Sequence, residues 1–326
     1  MIYPWQHSAW QQLAAHWDKH PNAWLLYGKA GTGKLAFAQY LAQALLCENP
    51  QAEHQPCGQC PSCHLCSQHS HPDLCELTPE IPEGDNVARK LLQIKVDAVR
   101  QVLDFVHLSA HRGGHRVVLV HPAESMNIQA ANALLKVLEE PPPQVLFILV
   151  SHNKDALLPT IKSRCRPFAL PLPSREQALA WLQQQDMADA ENLLAFHGGA
   201  PLFADKPAED DLRAQLLDLL AQPRLLALLD YAALFDRQKW PLSLLLDWLH
   251  KWLLDIARAQ QQMAAVYYPG RQTALDTLGA RTQPIALFAL AERLNALTPY
   301  GQHTLNVKMQ AEDLLIEYLH FWQQKH

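Results

Sequence analysis

The chain has no run of Lys and Arg long enough to neutralise a stretch of phosphates, which argues against a free-standing electrostatic binder of nucleic acid. Its 27 basic residues are outnumbered by 32 acidic ones, for a net charge of −5. It also lacks an uninterrupted apolar stretch of the ~18 residues that a spanning helix requires. The opening MIYPWQHSAW has no basic segment followed by an apolar one. Together these features predict a soluble, cytoplasmic protein with no membrane partner. Internal repeats and low-complexity tracts are missing, so a solenoid is not expected. Charged residues make up only 18% and apolar ones 49%, a balance that can bury enough surface to offset the ordering entropy of folding. At 326 residues the chain is too long for one ordinary core, and two or three domains are expected.

The most specific signal lies near the start. A short apolar run, Ala23 to Tyr27, leads into Gly28-Lys29-Ala30-Gly31-Thr32-Gly33-Lys34-Leu35, and Ala36 to Leu46 has helical character. Strand, glycine loop and helix in this order make a phosphate-binding loop, with backbone N–H groups cradling phosphates and the lysine reaching the outer ones. Gly28, Gly31, Gly33 and Lys34 are therefore the nucleotide-binding candidates. The position after the lysine should offer a magnesium-binding hydroxyl, but it is Leu35. The strand expected at Val117 to Val120 should end in carboxylates, but His121 and Pro122 follow it, with Glu124 displaced beyond them. No catalytic magnesium is expected. Two readings of the loop stand side by side, a relic of the fold and nucleotide binding without turnover. Hydrolysis ranks below both.

The rest of the first half reads as α/β. A Pro-rich stretch from His71 to Gly84 predicts loop, and Leu91, Ile94, Val99, Val102 and Val106 keep helical spacing up to the Gly113-Gly114 pair. Between the β-runs Val117 to Val120 and Val145 to Val150, the segment Asn127 to Glu140 places Ile128, Ala131, Leu134, Leu135 and Leu138 on one helical face. Pro141, Pro142 and Pro143 end it. Strand, helix, strand predicts a parallel crossover. Past Arg166 the β-runs vanish, Pro167, Pro171 and Pro173 mark a linker, and Ser174 to Gln177 reads as a cap and first helical turn. From about Asp210 the chain reads as a helical bundle with turns at Pro223, Pro241, Pro269-Gly270 and Pro284. Trp240, Trp248 and Trp252 are expected in its core.

Seven cysteines occur, and Cys47, Cys57, Cys60, Cys63 and Cys66 crowd one segment. In a reducing compartment that crowding favours metal over disulfides. Two successive C-x2-C steps, with Cys47 upstream, suit a tetrahedral zinc. Cys66 continues the same spacing and competes with Cys47 for the fourth place. An iron–sulfur cluster is the formal alternative, and structural zinc is preferred because nothing suggests electron transfer. Cys75 and Cys165 read as isolated thiols. The module has too few basic residues to read DNA and is expected to brace a loop.

Three stretches together resemble the clamp-loader ATPases of the AAA+ class. They are the phosphate loop followed by the cysteine module, the segment Ala131 to Pro142 (ANALLKVLEEPP), and Ser163-Arg164-Cys165. The resemblance covers residues 1 to about 205, and beyond that only length and helical character match. It implies an AAA+ P-loop domain with a parallel sheet over 1–166, carrying a four-cysteine zinc module at about 47–66. A small helical lid over 167–207 and an all-α collar over 208–326 would follow. It makes Cys47, Cys57, Cys60 and Cys63 the zinc ligands and Arg164 an arginine finger acting in trans. A guanidinium's planar fork matches phosphate oxygens, so such a residue can serve a neighbour's ATP after its own subunit has lost catalysis. Tyr3-Pro4-Trp5 resembles the start of the delta prime branch. Leu35, His121, Pro122 and Leu202 depart from the motor subunits gamma and tau. The implied role is in DNA replication, as a non-hydrolysing subunit of the DNA polymerase III holoenzyme, a nucleotidyltransferase. Its partners would be gamma or tau and delta in a hetero-pentameric ring that loads the sliding clamp onto primed DNA. An active clamp-loader ATPase or another P-loop phosphotransferase is the alternative, and a zinc-dependent DNA-binding module the third.

Overall fold

The computed structural model describes residues 2–80, 92–112, 114–187, 189–203, 207–301 and 306–323. Their contacts divide them into two compact units, one drawn from residues 1–81, 92–184 and 199–202, the other from 185–198 and 203–326.

The first unit is built on a parallel sheet of β1 (Ala23–Tyr27), β2 (Leu74–Leu77), β3 (Arg116–Val120), β4 (Val145–Ser151) and β5 (Arg166–Ala169), in the spatial order β2-β3-β4-β1-β5. β3 and β4 are buried along their whole length, which is why they read as unbroken apolar runs. Alternate side chains enter two separate cores. Val118, Val120, Phe147 and Leu149 face α4 (Val96–His107) and α5 (Ile128–Glu139), while Val117, Leu119, Ile148 and Val150 face α1 (His7–Ala14) and α2 (Lys34–Leu46). The predicted crossover is present, with β3 and β4 as parallel neighbours joined through α5.

β4 lies between β1 and β3 and pairs with both. Several expectations need correction. The Pro-rich stretch from His71 contains strand β2, and residues 81–84 lie outside the described residues. Arg166 to Ala169 is strand β5 rather than linker, with Pro167 opposite Leu25. Both missed strands are edges, where one face of the ladder is free and a proline costs no hydrogen bond. The helix expected from Leu91 is described as α4 from Val96, with Ile94 bridging Met126. Leu91 and Gly113 fall outside the described residues. α5 buries Ala130, Ala131, Leu134, Val137 and Leu138, whereas Ile128 is 69% exposed, so the buried stripe is rotated from the expected one. Asn127 caps α5 by accepting from the Ala130 amide at 2.8 Å. Ser174 and Gln177 form the reciprocal capping box of α7 (Arg175–Gln184), at 3.0 and 3.2 Å.

Between α3 (Pro61–Ser67) and β3, the buried Asp73 carboxylate accepts the His111 and Arg112 amides at 2.7 and 3.0 Å and lies 3.4 Å from Arg116. Burial alone would raise this acid, but those hydrogen bonds and the Arg116 charge hold it below the usual carboxylate range.

The second unit is helical: α8 (Ala190–Phe196), α9 (Pro207–Ala221), α10 (Leu225–Arg237), α11 (Leu242–Gln260), α12 (Gln272–Arg281), α13 (Pro284–Leu297) and α14 (Val307–Gln323). α11 runs through its core, where Trp248 and Trp252 are fully buried, while Trp240 is half-buried against it. Trp252 donates to the Tyr318 hydroxyl at 2.9 Å, and that hydroxyl donates to the Leu220 carbonyl at 2.8 Å. No helix among the described residues is long and apolar enough to cross a membrane.

Asp255, buried on α11, accepts the amides of Val266, Tyr267 and Tyr268 at 2.7 to 2.9 Å and so anchors the segment before α12. Replacing it with Ala removes the acceptor of three amides, that of Tyr268 buried and those of Val266 and Tyr267 partly so. Asp255→Ala is expected to destabilise this unit by about 2 kcal/mol, read as a lowered urea midpoint.

Candidate functional site

The loop joining β1 to α2 has the backbone that its glycines predict. Gly28 has φ +153°, and a Cβ there would sit 2.9 Å from the Leu170 carbonyl oxygen. Gly33 has φ +83°, and a Cβ would come within 2.4 Å of the Tyr3 ring. The loop's carbonyls are held by the chain itself. Gln6 donates its carboxamide to the Thr32 and Gly33 carbonyls at 3.0 and 2.9 Å, the Trp5 indole donates to Thr32 at 3.0 Å, and the Leu202 amide to Gly31 at 3.0 Å. The Tyr3 ring stacks on Trp5 at 5.0 Å, and Trp181 of α7 meets both edge-on. Lys34 is only 2% exposed and donates to the Lys29 carbonyl. Burial pulls its ammonium down to about 8, against the nearby Glu124 charge. Leu35 packs against the core shared by α1 and α2.

At the ends of β3 and β4 the groups facing Lys34 are imidazoles. His121 and His152 meet edge-on at 5.3 Å. Burial, then the Lys34 charge, lowers His152 to about 4, and burial also lowers His121, so both rings are neutral near pH 7. Glu124 Oε1 accepts the His152 amide at 2.8 Å, and its other carboxylate oxygen is buried with no hydrogen-bond partner among the described residues. One carboxylate and two neutral rings stand where a magnesium site would gather oxygen ligands. His152, Gln6 and Trp181 escaped the sequence reading, because only the folded chain brings them to this loop.

Arg164 lies apart from that group. It follows α6 (Pro159–Lys162), pairs with Glu139 at the end of α5 at 3.0 Å, and donates to the Thr160 carbonyl at 3.1 Å. Arg166, on β5, instead lies over the Trp24 ring at 5.4 Å.

The cysteines converge as four. The sulfurs of Cys47, Cys57, Cys60 and Cys63 all lie within 4.8 Å of one another, with Cys47–Cys60 and Cys57–Cys63 both at 3.9 Å. Thiolates about 2.3 Å from one tetrahedral ion would be roughly 3.8 Å apart, so the set fits a single metal ion. Cys66, one turn further along α3, is outside the four, and its thiol is pushed up to about 12, chiefly by burial. Cys57 accepts the amides of Gln59 and Cys60, which bring it down to about 6 and ready it as a thiolate ligand. Cys60 caps α3 through the Cys63 amide, so the same turn that starts the helix aims two sulfurs inward. Metal analysis of purified protein should find about one tetrahedral ion per chain. Cys47→Ser should lose it and Cys66→Ser should keep it; the reverse pattern would reassign the fourth ligand.

A family model described as "DNA polymerase III, delta subunit" matches residues 5–174. DNA polymerase III subunit delta' of Pseudomonas aeruginosa is 43% identical over 266 residues, spanning 79% of this chain and 78% of that protein. The subunit delta' of Haemophilus influenzae is 33% identical over 86% of this chain and 88% of its own length, and that of Escherichia coli K12 is 34% identical over 76% of each. The chain belongs to the delta' family of DNA polymerase III subunits.

Proposed function

We propose that the chain is a clamp-loader subunit that hydrolyses no ATP of its own and lends Arg164 to the ATP site of a neighbouring subunit. The observation carrying this reading is the pairing of two facts. The loop's lysine faces neutral His121 and His152 with Leu35 in the hydroxyl position, while the Arg164 guanidinium reaches solvent at the joint end of α5 and α6. With a single carboxylate and no hydroxyl after Lys34, the site is short of oxygen ligands for magnesium, so charge developing on a transferring phosphoryl group would lack the counter-charge of a bound metal.

The name of the relatives supports a place in the DNA polymerase III holoenzyme. In this reading the partners are gamma or tau and delta in a hetero-pentameric ring, with the sliding clamp and primed DNA reached through the complex. The ion of the Cys47, Cys57, Cys60 and Cys63 set is a structural zinc, since four protein sulfurs leave no open coordination position for chemistry. The nucleotide-fold domain expected over 1–166 then extends through strand β5 to Ala169, followed by a lid up to 207 and a collar over 208–326.

In a reconstituted loader, Arg164→Ala should lower turnover at the adjoining ATP site by roughly a thousandfold or more, the usual worth of a trans-acting arginine. Unchanged DNA-stimulated turnover would refute the role. The isolated chain should show no magnesium-dependent ATP hydrolysis that Lys34→Ala removes.

A further inference from the structure

The partner that Arg164 holds within its own chain carries the inference. Glu139 is the last residue of α5, followed by Glu140 and the prolines. A carboxylate there sits at the negative end of the helix dipole and is disfavoured unless a cation offsets it. Arg164 supplies that cation through one nitrogen, Nη2, at 3.0 Å. Its Nη1 donates to the Thr160 carbonyl at 3.1 Å, and its Nε is buried with no acceptor among the described residues. The guanidinium is thus held by two single bonds to different groups, and neither uses the paired edge that gives arginine its strongest contacts. The side chains are 28% and 60% exposed for Arg164 and Glu139, so water screens the pair. A phosphoryl group brings more charge and several oxygens to the same fork.

We propose that Glu139 is a releasable latch for Arg164, a positioning residue that parks the guanidinium against α5 until the triphosphate of a neighbouring subunit displaces the carboxylate. The proposal rests on the trans-acting role of Arg164 given above and adds a competitor to it. Carboxylate and phosphate contend for one guanidinium, so the latch holds down turnover at the adjoining site when the ring is not drawn closed. Its strength is that of a partly exposed ion pair, small enough to be overcome and large enough to measure.

The test is the ATPase of the reconstituted loader, with and without clamp and primed DNA, for Glu139→Gln, Glu139→Asp, Arg164→Ala and the Glu139→Gln/Arg164→Ala double variant. Glu139→Gln should raise the DNA-independent rate roughly two- to fivefold, the range expected for losing such a pair. Glu139→Asp should return it toward the parent value, and the gain should disappear in the Arg164→Ala background. A Glu139→Gln rate that is unchanged or lower overturns the latch, and so does the same fold-change with Arg164 absent, which would mark Glu139 as acting elsewhere. The failures are separable: if Arg164→Ala leaves turnover intact, the trans-acting role falls and the latch with it. If Arg164→Ala depresses turnover while Glu139→Gln does nothing, the latch alone falls.

Discussion

Burial of β3 and β4 on both faces, with β1 hydrogen-bonded alongside β4, is the constraint from which the site follows. Parallel strands covered on both sides send every following loop to the same edge of the sheet. The glycine loop after β1, His121 to Glu124 after β3 and His152 after β4 therefore meet without any of them being adjacent in sequence. The order β2-β3-β4-β1-β5 puts β4 between β1 and β3, so the end of β4 presents itself to the loop more directly than the end of β3 does. This placement is what makes His152 matter. A fold that gathers phosphate and metal ligands at one edge will gather whatever residues occupy those positions, catalytic or not.

At that edge the balance of charge has shifted. Lys34 keeps its place, yet its ammonium is satisfied by the loop's own Lys29 carbonyl and its pKa is drawn down by burial. The two imidazoles nearby are neutral because burial and the lysine both oppose a second positive charge. Among the described residues Glu124 is the anion whose charge acts on Lys34, and it is committed through one oxygen to the His152 amide. The result is a site with little net charge, its loop carbonyls held by Trp5 and Gln6, in a chain whose Arg164 guanidinium lies elsewhere.

Much of this was legible in the sequence, and what was not has a physical pattern. The glycine loop, α2, the two core strands, α5 and the Ser174–Gln177 cap were readable because each rests on short-range signals: fixed spacing, a continuous apolar run, a capping pair. The missed strands, β2 and β5, are the two edges of the sheet, where half-exposed residues and Pro167 erase the β signature. The buried face of α5 was misjudged at Ile128, since an apolar residue in the first turn can point outward at little cost. The choice between Cys47 and Cys66 was open because both lie at acceptable spacing, and only the fold of α3 against the end of α2 separates them. Contacts such as Gln6 with Thr32 leave no local trace at all.

The position of Cys47 has one more consequence. It directly follows Leu46, the last residue of α2, while Lys34 at the other end of that helix belongs to the glycine loop. The helix is therefore a strut with both ends fastened, one by the grip of Gln6 on the loop carbonyls and the other by the sulfur cluster. A strut fixed twice resists sliding and tilting, which ties the cysteine module, remote in chemistry from phosphate, to the way the loop is presented.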